Sequence, residues 1–214
     1  MEKVDTYKSL EKVALEMGCT EAKVVSVDNV VVEDRVRLRC MVGCPHYGKG
    51  LRCPPYTPSI DEFRKILNDY SFVMVVKLRP KEISEEVLAR YNPINKMKTG
   101  RVNRDQDNND SISKIGSDFS NQYKSSLMDL LELERDAFKM GYVFATAFFA
   151  GRCLLCDECN VEDGACLNPS MARPSAEAMG INMLKTAENA GMNLKFDTGD
   201  KLTSMTPMAI LLIN

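Results

Sequence analysis

The stretch YVFATAFFAGRCLLCDECNVEDGACLNP, residues 142–169, joins an uncharged apolar run to a loop with four cysteines. The run, 142–150, reads as a strand buried on both faces, and Gly151 breaks it. Upstream, Tyr123, Leu127, Leu130, Leu131, Ala137 and Phe138 fall at helical spacing and mark a long helix that stops before Gly141. Downstream, residues 182–190 form a helix ending at Gly191, and 207–213 give a last strand. Toward the N-terminus, Asp5 is placed to cap a helix carrying Tyr7, Leu10, Val13, Ala14 and Met17, with Gly18 as its stop. Residues 23–32 and 71–78 read as strands. Arg35, Arg37 and Arg39 alternate with Val36 and Leu38, the period of a strand with one wet face that delivers Cys40. Ser59 and Glu62 form a capping box that opens a helix to about Asn68. Helix and strand alternate, which predicts an α/β class: one domain over 1–214, a mixed sheet flanked by helices, and both cysteine loops leaving strand ends. Residues 92–122, rich in Asn, Asp, Ser, Lys and Arg, read as a mobile polar loop within it.

Lys plus Arg is 28 against 30 Asp plus Glu, a net charge of −2. No strongly basic nucleic-acid binder is expected from that balance. No apolar run approaches the roughly 20 residues of a membrane span, and the first residues, MEKVDTYKSLEK, resemble no export signal. The expected setting is the cytoplasm, where disulfides do not persist. Seven of the eight cysteines nonetheless fall in two short stretches, Cys40, Cys44, Cys53 and Cys153, Cys156, Cys159, Cys166. Thiols gathered this way read as metal or cluster ligands, since one loop brings them together at little entropic cost.

In the second loop two consecutive C-x2-C steps present Cys153, Cys156 and Cys159 as in bacterial ferredoxins, to three corners of a [4Fe-4S] cluster. Cys166 follows after six residues, with Pro169 beyond it, and could close the same cluster. The alternative is a four-thiolate zinc site. The first loop, CMVGCPHYGKGLRCPP, supplies three thiols for a second cluster or metal, its fourth position open or filled by Cys19 or His46. Its glycines let backbone amides approach sulfur. Cys19 follows a helix end and reads as a buried thiol. Arg173-Pro174-Ser175 has two readings, a helix start capped by Ser175 or an arginine that pairs with a cluster-bound anion or a partner carboxylate.

CPHYGKGLRCPPYTPSIDEF, AGRCLLCDECNVEDGACLNPSMARPSAEAMGI and KTAENAG resemble the prokaryotic family catalogued as domain of unknown function 2284, described as predicted metal-binding proteins. The likeness spans most of the chain and implies metal binding, with ligand candidates at Cys40, Cys44, Cys53, Cys153, Cys156, Cys159 and Cys166. Family members often carry a cysteine where this chain has Met179, so no ligand role carries over there.

The leading functional expectation is electron transfer with a redox partner protein. The alternatives are an iron–sulfur enzyme or redox activator with an open iron site at the first loop, and a zinc-stapled binding module. GxGxxG and GxxxxGK[ST] are absent. Arg35, Arg37, Arg39, Lys49 and Arg52 near the first loop oppose Asp157, Glu158, Glu162 and Asp163 in the second. That contrast predicts a more easily reduced first centre, with a field that holds a small anionic substrate.

Overall fold

The computed structural model describes residues 2–79, 81–82, 109–192, 204–205 and 207–214. Among them five helices and a four-stranded sheet alternate: α1 (Glu2–Glu16), β1 (Glu21–Ser26), α2 (Asp34–Gly43), α3 (Ile60–Leu67), β2 (Phe72–Lys77), α4 (Asn109–Lys139), β4 (Thr146–Phe148), α5 (Met183–Asn189) and β6 (Met208–Leu212). Two short strands, β3 (Lys81–Glu82) and β5 (Ser204–Met205), pair separately. The main sheet runs β1-β2-β6-β4.

Side-chain alternation on these strands sorts the core into two layers. One face presents Ala22, Met74, Val76, Ala147, Ala209 and Leu211 to Tyr7, Leu10 and Ala14 of α1 and to Tyr123, Leu127, Leu130, Leu133 and Ala137 of α4. The other presents Val73, Val75, Phe148, Ile210 and Leu212 to Phe63 and Leu67 of α3 and to Ala187 beside Ile181 and Met192. β2 and β6 are thus buried on both sides, which is why their sequences are continuous apolar runs.

The α/β architecture is the expected one, and its details differ. All three ladders of the main sheet are antiparallel rather than mixed; among the described residues the parallel contact is a single bridge, Phe149 to Ser175. The segment with Arg35, Arg37 and Arg39 is helix α2, not a strand, so the first cysteine loop leaves a helix. Alternation over five residues also fits a helix whose half-buried positions Val36, Arg37 and Cys40 share one face. Residues 109–122, expected to be mobile, are the first turns of α4; in sequence Ile112, Ile115 and Phe119 extend the helical register of Tyr123. Residues 92–108 lie outside the described residues. α1 begins before Asp5. β1 stops at Ser26, whose hydroxyl accepts from the Asp28 N–H and starts a 3-10 turn. The capping box of Ser59 and Glu62 forms with both of its hydrogen bonds.

Candidate metal centre

The second cysteine loop leaves the sheet at the end of β4 and returns to the same place. The Phe149 N–H donates to the Pro174 carbonyl at 3.0 Å, and the Ala176 N–H to the Phe149 carbonyl at 2.9 Å. Arg173 clamps this base: its Nε donates to Glu134 Oε2 at 3.0 Å, and a second guanidinium nitrogen donates to Oε1. Glu134 also accepts from the Ala147 N–H at 2.7 Å, capping a backbone donor on the edge strand. Ser175 Oγ accepts from the Ala178 N–H. Of the two readings of Arg173-Pro174-Ser175, the structural one holds, since Ser175 caps a turn; Arg173 is taken by a carboxylate of its own chain rather than by a cluster-bound anion or a partner carboxylate.

The first loop begins at Cys44, the C-cap of α2. Successive tight turns shape it: Tyr47 N–H to Cys44 O, Lys49 N–H to His46 O and Cys53 N–H to Gly50 O. Arg37 holds its far end by donating to the Thr57 and Pro58 carbonyls, and Arg35 pairs with Glu33. These two arginines, expected to set the field at a metal, are occupied in structural bonds.

The two loops meet. Cys53 from the first and Cys153, Cys156, Cys159 and Cys166 from the second line one cavity of about 450 Å³. The Leu51 N–H donates to Cys159 Sγ at 3.3 Å across a separation of 108 residues, and Asn168 Nδ2 donates to Cys156 Sγ at 3.1 Å. N–H donors aimed at sulfur are the usual surroundings of cluster thiolates. Cys40 and Cys44 are not in the cavity wall, but their thiolate forms would oppose ionisation of Cys53. Burial, then Cys44, Cys40 and Cys153, push the Cys53 thiol up to about 11. Burial also raises Cys40 and Cys153. A metal that bound these thiols would displace their protons.

None of the eight cysteines forms a disulfide. Cys19 is buried in the core beside α1, and Met179 is likewise core. His46 lines the cavity, its pKa lowered by burial and then by Arg152 and Lys49. Among the described residues no group of three His, Cys, Asp or Glu is drawn together as a site for a single ion. Sequence reasoning missed Glu134, Asn168 and the Leu51 amide. Asn168 lies two residues past Cys166, but Glu134 sits on a helix with nothing local to mark it.

The family model described as "Predicted metal-binding protein (DUF2284)" matches residues 23–213. The chain belongs to this family. No curated protein and no solved structure matches it. Seen as a member of DUF2284, the chain places five of its seven clustered thiols on one cavity. Among the described residues no helix is long and apolar enough to cross a membrane.

Proposed function

We propose that this metal-binding protein carries a [4Fe-4S] cluster in the shared cavity, held by Cys153, Cys156, Cys159 and Cys166, and that it transfers electrons to or from a redox partner protein in the cytoplasm. The carrying observation is the cavity itself, lined by thiols from two distant loops with N–H donors on two of the sulfurs. A four-thiolate zinc site is the alternative, and metal and sulfide analysis separates the two. When bound, a cluster supplies one-electron chemistry. The chain positions the four thiols, directs the Leu51 and Asn168 donors at two of them, and fixes the loop base through Arg173 and Glu134.

Cys40, Cys44 and Cys53 are the thiols for a second centre in the same proposal, with Cys53 the member that lines the shared cavity. One observation favours the enzyme or activator reading as a second choice: the cavity has charged and polar walls besides its thiols, as a substrate site would.

Cys166→Ala tests the ligand set. Loss or destabilisation of bound iron and sulfide in anaerobically purified protein is expected. Unchanged iron and sulfide content and stability would remove Cys166 from the set.

A further inference from the structure

Besides its thiols the cavity carries charge, and the charge is unevenly placed. Lys49 and Arg52 enter it from the first loop and Arg152 from the second, with His46 among them; Asp157, Glu158 and Glu162 also line it. The ion pairs among the described residues include none of these charged groups. The three carboxylates are exposed, as are Lys49 and Arg152, whereas Arg52 is half-buried. Water screens the exposed charges, so the field at depth follows Arg52. Its Nε is fully buried and has no hydrogen-bond partner. Buried donors without an acceptor are rare, because their desolvation goes uncompensated. Five thiols line the same cavity, and two of them accept from Leu51 and Asn168. The Arg52 Nε donates to no sulfur.

We propose that Arg52, with Lys49 and Arg152 at the mouth, forms a binding site for a small oxyanion, a carboxylate or a phosphate group, seated beside the thiols. A planar guanidinium presents parallel N–H donors that match two oxygens of such a group, and it is a better fit to them than to a single sulfur. The site deepens the proposed function, since an oxyanion bound there would lie next to the cluster. It rests on Arg52, the half-buried charge among the three cations and three carboxylates that line the cavity, and not on the cluster.

The test titrates inorganic phosphate, and separately acetate, into the purified iron-loaded protein at constant ionic strength, followed by calorimetry. Saturable binding of at least one of them is expected, weakened tenfold or more in Arg52→Gln and only partly restored in Arg52→Lys. Where Arg52→Gln fails to fold, the exposed Arg152→Gln takes its place, with binding weakened several-fold. Absence of saturable binding by the unaltered protein overturns the proposal. So does equal affinity in the variants, including the case in which Arg52→Gln changes only iron content or potential and so marks Arg52 as a metal-site residue. Protein isolated without iron that still bound phosphate through Arg52 would contradict the cluster and support the oxyanion site, so the two readings fail separately.

Discussion

Arg173 and Glu134 meet with each side chain only 17% exposed. Neither charge is well solvated, so removing one strands the other. Arg173→Met should cost about 2 kcal/mol of stability. Arg173→Lys keeps the charge but loses the two-pronged geometry and should fall between the two. Urea denaturation of the three proteins measures this, and identical midpoints would show that the pair contributes nothing. Glu33 is a second hub, accepting from Arg35, Lys185 and Asn182, and these bonds hold its carboxyl down to about 2. The ordinary value is 4.5, so the folded state binds fewer protons between the two. Its stabilisation is full above the ordinary value and is lost as pH falls toward 2. Glu33→Gln should therefore be less stable than the unaltered protein at neutral pH, with the gap closing through that acid window. A gap independent of pH would contradict the charge-based account.

At the scale of elements, Gly180 ends the 3-10 turn Glu177–Met179 at φ +78°, beneath α3. A Cβ there would lie 3.0 Å from Ile60 Cδ1 and 3.5 Å from the Glu33 carbonyl oxygen. Both the left-handed backbone and the close contact oppose a side chain, so Gly180→Ala should destabilise by about 1–2 kcal/mol. Thermal unfolding checks it, and an unchanged midpoint would be the contrary result. What the sequence revealed at this scale depended on how long each pattern was. β2 and β6 were legible because a sheet covered on both faces writes an unbroken apolar run. The capping box of α3 was legible because it is wholly local. α2 was not, since five alternating residues fit two periods and the carbonyls that Arg37 engages come from a later loop. The start of α4 was hidden by polar composition, with only sparse apolar positions keeping its register.

On the scale of the whole molecule, the candidate site is a product of tertiary structure. Each cysteine loop could be read alone, and the spacing of Cys153, Cys156 and Cys159 already pointed to a cluster. No local pattern records that the α2–α3 connection and the loop after β4 come to one cavity, where Leu51 reaches Cys159. Of the opposed charges that suggested two centres of different potential, Lys49 and Arg52 share one wall with Asp157, Glu158 and Glu162, while Arg35, Arg37, Arg39 and Asp163 lie outside it. The central claim is that this wall holds an iron–sulfur cluster. Anaerobic purification with iron, acid-labile sulfide and zinc quantification, followed by electron paramagnetic resonance of the reduced protein, tests it most directly. The account predicts brown protein with at least about four iron and four sulfide per chain and a paramagnetic signal on reduction; colourless protein holding zinc without sulfide would contradict it.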